Sequence, residues 1–368
     1  MIRHIRLDDF KCFHEAELQL SQLNVFAGSN GTGKSTVVQA LLVLFQSAQS
    51  GALERERVQL NGPLIDLGTG RDVLFKRSNA DRFSIVVGDD TGELTVVGLV
   101  SASEVQHTLA GSLELRSASL KVFKQRLFYL SADRLGPQKS YPMSMDESLM
   151  NEVGRRGEFA PLLFSRSRRE EVKNERLWLE NTESKANPDL ENQFILWMRR
   201  MFAGYEMRAD SSLETDSVVL GLSLNTQIGG AEFLRPSNVG FGVSIIFPIV
   251  LCGLLAGNET TLIVENPEAH LHPSAQSLIG EFLARTAAGG AQVFVETHSD
   301  HVINGMRIAV ANGVLSDRAT RFFAFTKNEE YGSNRVIPVQ LERTGEFTSR
   351  PEAFFDQFDK DLKTIYRI

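Results

Sequence analysis

Near the start of the chain, Gly28-Ser-Asn-Gly-Thr-Gly33-Lys34-Ser35 matches GxxxxGK[ST] at every fixed position. At average Gly and Lys frequencies this pattern arises by chance in roughly one chain in a hundred of this size. The chemistry explains the spelling. Glycines let the backbone wrap an anion so that successive N–H groups point inward, and a following helix adds its positive end. Lys34 offers a point charge to the β- and γ-phosphates of a nucleotide, and Ser35 a hydroxyl ligand to Mg2+. Nucleotide binding is the expected chemistry.

Two later segments also end in reactive groups. Thr261-Leu-Ile-Val-Glu265 is an apolar run closed by a carboxylate, with Glu268 three residues on. In a parallel sheet buried on both faces, strands are continuously apolar and their C-terminal ends gather at the ligand crevice. Glu265 is thereby placed to serve Mg2+, and Glu268 to reach the γ-phosphate and orient a water. Gln292-Val-Phe-Val-Glu296-Thr-His298 repeats the design, with His298 as a hydrogen-bonding group for the γ-phosphate. His270 and His272 beside Glu268 look like metal ligands, but no further Cys/His cluster stands nearby in sequence to complete a tetrahedral site. No dedicated transition-metal site is expected.

The elements that must position these groups follow from patterning. The first 27 residues read as strands, ending in the apolar LNVFA before Gly28. From Ser35 to about Gln49 the pattern is helical and strongly apolar. Residues 72–130 look β-rich, with a hairpin signal around Asp89-Asp90-Thr91-Gly92. From about 136 to 235 the chain is loop-like and then helical, and it carries a basic cluster: Arg155, Arg156, Arg166, Arg168, Arg169, Lys173 and Arg176. Glu158, Glu170, Glu171 and Glu175 interleave with it, which favours a solvated face over a DNA path. Beyond 236 the α/β character returns, closing with the strands RFFAF and RVIPVQL and a terminal helix in FFDQFDKDLKTI. The expected division is a discontinuous head, residues 1–135 and 236–368, interrupted by a mainly helical lobe at 136–235.

Composition bounds the rest. The 368 residues carry a formal charge of −7, so the protein is not coated in basic surface and any nucleic-acid contact needs a local patch. Cys12 and Cys252 form neither a disulfide framework nor a zinc pattern. The start, MIRHIRLDDF, lacks the apolar stretch of a signal peptide. The longest apolar run, Ile245 to Gly257, is 13 residues long and contains Pro248. A spanning helix needs about 20 apolar residues. A soluble, cytoplasmic protein without a membrane segment is expected.

On these motifs the sequence resembles the ABC-type ATPase heads of the SMC, Rad50, RecF and overcoming-lysogenization-defect families, and within them a group of compact bacterial ATPases. IRLDDFKCFHEAELQLSQLNVFAGSNGTGKST resembles their N-terminal signature, in which a KCF segment leads into the P-loop. LIVENPEAHLHPSAQ resembles their fused Walker B and D-loop, VETHSDHVIN their switch-histidine segment, and FFDQFDKDL the end of the compact group. The specific motifs cover residues 1 to about 50 and 236 to 310.

The resemblance implies an α/β P-loop fold with a mixed central sheet and an N-terminal antiparallel β-subdomain. It implies that Asn30, Gly31, Thr32, Gly33, Lys34, Ser35 and Thr36 hold ATP, and that Ser35 and Glu265 hold Mg2+. Glu265 takes the Walker B position and His298 that of the switch histidine. Gly240, Gly242 and Ser244, in NVGFGVS, occupy the place of the ABC signature, which serves the ATP of a second subunit. ATP would join two heads into a homodimer or a higher even-numbered assembly, and hydrolysis would release them.

Three departures stand out. The usual Asp-Glu pair of Walker B is Glu265-Asn266 here, so an amide stands where the usual catalytic glutamate would be. Either Glu268 or Glu265 then acts as base, or turnover is slow. The signature diverges from LSGGQ. No Q-loop glutamine is evident, with Gln46 and Gln59 as the candidates. The chain ends about 70 residues after His298, too soon for the Toprim nuclease of larger relatives. The leading expectation is an ATPase switch controlling a separately encoded effector, a nuclease or toxin, in anti-phage defence. The alternatives are a RecF- or Rad50-like DNA-repair ATPase, touching DNA through Arg155–Arg176, and a nucleotide-bound scaffold with little hydrolysis.

Overall fold

The computed structural model describes residues 1–100, 108–115, 121–143, 152–180, 188–202, 205–212, 217–224, 233–234, 240–327, 332–349, 351, 354 and 357–366. The chain opens with β1 (Ile2–Phe10), β2 (Phe13–Gln19), β3 (Leu23–Gly28), α1 (Lys34–Gln49), β4 (Arg57–Gln59) and α2 (Gly70–Val73). Next come β5 (Arg82–Asp89), β6 (Gly92–Leu99), β7 (Thr108–Leu115), β8 (Arg126–Leu130) and β9 (Tyr141–Pro142). The middle holds α3 (Ala160–Ser167), α4 (Leu190–Met201), β10 (Tyr205–Ser212), β11 (Ser217–Leu224) and β12 (Phe233–Leu234). The last third is α5 (Phe241–Leu255), β13 (Thr260–Glu265), α6 (Pro273–Ala288), β14 (Gln292–Thr297), α7 (Asp300–Ala311), β15 (Thr320–Thr326), β16 (Arg335–Val339) and α8 (Gln357–Tyr366).

These elements form two compact units, one of residues 1–126 and 317–368, the other of residues 127–316. In the first unit an antiparallel sheet runs in the order β2-β1-β5-β6-β7-β4. Its inner face follows the period of two: Ile5 and Leu7 on β1, Phe83, Ile85 and Val87 on β5, and Leu94 and Val96 on β6 are buried. The hairpin expected at Asp89–Gly92 joins β5 to β6 in register, Asp89 opposite Gly92. β3 instead lies beside β15, in parallel, with Leu23 opposite Thr320 and Gly28 opposite Phe325. Its residues Leu23 to Ala27 are all buried, as a strand covered on both faces requires. Phe26 meets Phe325 edge-on at 5.6 Å. α1 buries Val37, Val38, Ala40, Leu41, Leu42, Val43, Leu44 and Phe45, and is therefore a core helix rather than an amphipathic one.

In the second unit β14, β13 and β8 are adjacent in that order, and β13 and β14 run parallel with Glu265 opposite Glu296. Both strands are almost wholly buried. α4 turns Leu190, Phe194, Trp197, Met198 and Met201 inward, spaced three and four residues apart as a helix stripe demands. Phe164 of α3, Phe194 of α4 and Phe247 of α5 meet pairwise at 4.8, 4.9 and 5.6 Å. α5 is buried from Gly242 to Leu254 despite Pro248. Among the described residues no helix is long and apolar enough to cross a membrane.

The middle region adds an element that sequence patterning passes over. β9, β10, β11 and β12 make a four-stranded antiparallel sheet, with β10 and β11 paired from Tyr205–Leu224 to Ser212–Ser217. The alternation of Tyr205, Met207 and Ala209 with Glu206, Arg208 and Asp210 is a period-two signal, but a small apolar set makes it faint.

Candidate functional site: a phosphate cradle and an acid–histidine cluster

The chain leaves β3 at Gly28, whose φ of +146° only glycine adopts readily, and an added Cβ would stand 2.4 Å from the Phe325 carbonyl oxygen. The loop then turns back through Gly31 (φ +74°) and Gly33 (φ +100°), and Gly33 is the N-cap of α1. A glycine cap has no side chain to occupy the helix end, and the first turn of α1 holds no acidic residue. The N–H groups and positive end of a 16-residue helix are thus presented to an anion. Lys34 is buried, and its ammonium donates to the carbonyl oxygens of Gly28 (3.0 Å) and Ser29 (2.8 Å). Thr32 closes the loop through its hydroxyl to Ser29 O at 2.8 Å.

The KCF segment has a mechanical part in this cradle. Lys11 and Cys12 form the turn between β1 and β2, with Lys11 at φ +54°. Phe13 and Cys12 press against Gly33, where an added Cβ would stand 2.5 Å from Phe13 Cζ and 2.7 Å from Cys12 Sγ. Cys12 Sγ also lies 3.4 Å from Thr36 Oγ1. Asn334, ahead of β16, donates from its side chain to Gly31 O (3.1 Å) and from its backbone to Cys12 O (3.1 Å). Sequence reasoning missed Asn334, because 303 residues separate it from Gly31 and no local pattern marks it.

A triphosphate with Mg2+ fits these residues. Among the described residues nothing stands within 4 Å of a Cβ added at Gly31, so they leave the cradle open on that side. Ser35, at the start of α1, carries a hard oxygen donor of the kind Mg2+ prefers, and Mg2+ ordinarily completes its shell with phosphates and waters rather than an all-protein cage. Among the described residues no group of three or more His, Cys, Asp or Glu side chains is placed to hold a metal by itself.

In the second unit, Glu265 closes β13 and is held at both oxygens. The Tyr129 hydroxyl donates to Oε1 at 3.0 Å, and the Ala132 N–H donates to Oε2 at 3.1 Å. Burial pushes the Glu265 carboxyl above its ordinary range, against the pull of these two hydrogen bonds and of Arg134. Burial, then the Glu265 charge, likewise raises the Tyr129 phenol. A carboxyl with a raised pKa binds more protons folded than unfolded, so its stabilising contribution is full below the ordinary value of 4.5 and is lost as pH rises through the shifted one. Melting temperatures of the wild type and Glu265→Gln, compared from pH 4.5 upward, should show the wild type losing stability relative to the variant. Parallel curves would contradict the burial argument.

Asn266 takes the left-handed conformation at φ +45°, which Asn tolerates, and its N–H donates to Glu296 O at 2.8 Å. Its Oδ1 is buried without a hydrogen-bond partner among the described residues. Glu268 is fully engaged: Oε2 accepts from Thr297 Oγ1 and Oε1 from the His298 N–H, both at 2.7 Å. The structure thus brings Glu265, Glu268 and His298 together at the ends of β13 and β14, with the His298 ring exposed. Ser299 caps α7 by accepting from Val302 N.

The two histidines considered for a metal have structural partners. His272 caps α6, its Nδ1 accepting from Ser274 N at 3.3 Å. His270, at φ +59°, places its ring 4.6 Å from that of Phe241. Of the signature candidates, Gly240 caps α5, while Gly242 and Ser244 are buried. A Cβ at Gly242 would stand 2.5 Å from His270 O, so glycine is needed for the helix to meet that turn. Asn238 and Val239 of the same motif lie outside the described residues. Gln46 is buried and spends its amide on Gln59 O and Ile65 N, and Gln59 donates to Asn61 O.

Arg134 and Tyr129 are the residues of this cluster that sequence reasoning missed. The run FYL followed by Ser-Ala-Asp-Arg carries the same signal as β13 and β14, an apolar strand ending in polar groups. Arg134 is 5% exposed. Its Nη1 donates to Ser131 O and Glu265 O, and its Nη2 to Asn266 O. Burial brings its pKa down to about 10, so it stays charged at neutral pH.

The glycine cradle between a buried strand and a core helix defines the class, an α/β P-loop ATPase domain, and the fold is that of SMC head domains. A family model described as "AAA domain, putative AbiEii toxin, Type IV TA system" matches residues 105–304, and one described as "AAA ATPase domain" matches residues 1–92. The chain belongs to the first of these families, whose model spans more than half of it. The DNA replication and repair protein RecF of Renibacterium salmoninarum is 40% identical over 68 residues, 18% of this chain and 16% of RecF. The match therefore spans about one sixth of that relative's length. The fold is similar to a crystal structure of the SmcHead bound to the C-winged helix domain of ScpA. There the TM-score is 0.54 at 12% identity, covering 93% of this chain and 98% of that one. It is also similar to an Smc head domain with an extended coiled coil, bound to the C-terminal domain of ScpA derived from Pyrococcus furiosus. There the TM-score is 0.52 at 13% identity, over 99% of both chains.

Proposed function

We propose that this chain is an ATP-driven switch: a head that joins a second copy when ATP is bound, separates on hydrolysis, and so controls a separately encoded nuclease or toxin in defence against phage. The observation that carries the reading is the glycine-capped end of α1 with Lys34 held beneath it. Residues 1–135 and 236–368 form the head in this reading, and 136–235 the inserted lobe.

When bound, MgATP supplies a γ-phosphoryl group open to in-line attack by water. Backbone N–H groups from Asn30 to Thr36 hold the phosphates, and Lys34 moves its ammonium from the loop carbonyls to them. Ser35 and Glu265 would hold Mg2+, which would supply positive charge to the phosphate oxygens. As water oxygen bonds to phosphorus and the bond to the ADP oxygen breaks, Glu265 accepts the water proton. Asn266 offers Oδ1 to orient the water. Glu268, committed to Thr297 and His298, positions the histidine rather than accepting the proton. Gly240, Gly242 and Ser244 present the end of α5 to the nucleotide of the second copy.

The family description, with its AbiEii toxin and Type IV TA system, supports a defence role, and the dimer is what the resemblance to ABC-type heads implies. The DNA-clamp alternative draws on the RecF likeness and on Arg166, Arg168, Arg169 and Lys173, which are exposed at and after the end of α3. Glu170 and Glu171 are equally exposed among them, so the local field is mixed. The test is mass in solution: light scattering should show the protein doubling with MgATP, and returning to single mass once ATP is consumed. An unchanged mass at saturating ATP would defeat the switch.

A further inference from the structure

Resting on the reading of Glu265 given above, we propose that Arg134 is a positioning residue for hydrolysis, its guanidinium fastening the Glu265–Asn266 turn so that the Glu265 carboxylate is held in place to accept the water proton.

Segment 129–134 grips this turn at four points. Tyr129 and Ala132 take the two carboxylate oxygens of Glu265, and the two terminal nitrogens of Arg134 take the carbonyl oxygens of Glu265 and Asn266. Nη1 also donates to Ser131 O, which ties the gripping segment to itself. A planar fork can hold two successive peptide carbonyls and a third from its own loop at fixed angles; an ammonium, a compact point charge, cannot. The burial is costly. Nε lies buried with no hydrogen-bond partner among the described residues, and a buried donor without a partner is unfavourable. A side chain kept to satisfy its own polar atoms would not be left so; the carbonyls it holds account for its place.

Losing the fork frees the turn, and a reacting group displaced by about 1 Å loses on the order of a hundredfold in rate.

The test uses Arg134→Met, which keeps length and apolar contact, and Arg134→Lys, which keeps charge without the fork. In Arg134→Met, kcat should fall about 10- to 100-fold while KM for ATP stays within about threefold. Arg134→Lys should recover kcat only in part. A structural role alone would lower the melting temperature and leave the kcat of the folded variant unchanged. Wild-type kcat in folded Arg134→Met, or a raised KM with kcat unchanged, overturns the proposal. If Arg134→Met does not fold, Arg134→Lys decides: reduced kcat at unchanged KM supports the proposal, and wild-type kcat overturns it. Glu265→Gln is run in parallel. If it is inactive while Arg134→Met is not impaired, only the role of Arg134 falls; if it turns over normally, the reading of Glu265 falls and takes this proposal with it.

Discussion

Lys34→Ala is expected to lose ATP binding, with an affinity deficit of about 3 kcal/mol, or roughly 150-fold in Kd. The ammonium is nearly sealed from solvent, 3% exposed, and rests on two carbonyl oxygens of its own loop. Those carbonyls keep the charge at the cradle before nucleotide arrives, so little ordering remains to be done on binding. Truncation removes the cation from a set of phosphates that the backbone N–H groups neutralise only in part. The fold should survive. Ser29 is exposed, so water can take up its carbonyl, and a stability loss of about 1 kcal/mol is the expected scale. Titration with a fluorescent ATP analogue, alongside a thermal melt, separates the two effects. Undiminished affinity in a folded variant would remove the cradle as the nucleotide site.

Glu265→Gln is expected to bind ATP normally and to turn it over about 100- to 10,000-fold more slowly. The substitution is mild in shape. Its amide oxygen can still accept from Ala132 N–H, and its NH2 can donate to Tyr129, whose hydroxyl accepts as well as donates. What disappears is the basic oxygen and the negative charge, so chemistry suffers while the turn keeps its form. On the switch reading the variant accumulates as the ATP-bound double-mass species, visible by light scattering. Phosphate release at the wild-type rate would rule out Glu265 as the working carboxylate.

The two substitutions differ in how well their targets could be seen in advance. Lys34 belongs to an eight-residue motif whose glycines, lysine and serine all lie in one loop and the start of α1, and such a cradle is legible because its parts are neighbours in sequence. The strands that carry Glu265 and His298 were legible too, since continuous apolar runs such as LIV and VFV mark strands buried on both faces. The role of Glu268 was not. Its spacing from Glu265 allowed it to be a base, and only the pairing of β13 with β14 showed both its oxygens engaged by Thr297 and His298. Likewise the β10–β11 hairpin was hidden, because its short alternation competes with the helical pattern just before it.

The sequence by itself determined the glycine cradle, the buried helix behind it and the apolar strands that end in acid and histidine, because each depends on interactions within a few residues. The tertiary structure alone decided what steadies them. Asn334 reaches the cradle from 303 residues away, and Arg134 reaches Glu265 across 131. A side chain that holds a distant backbone carbonyl leaves no period and no spacing in the sequence. Its partner is a peptide group that every residue possesses, so only the folded chain shows which one it holds.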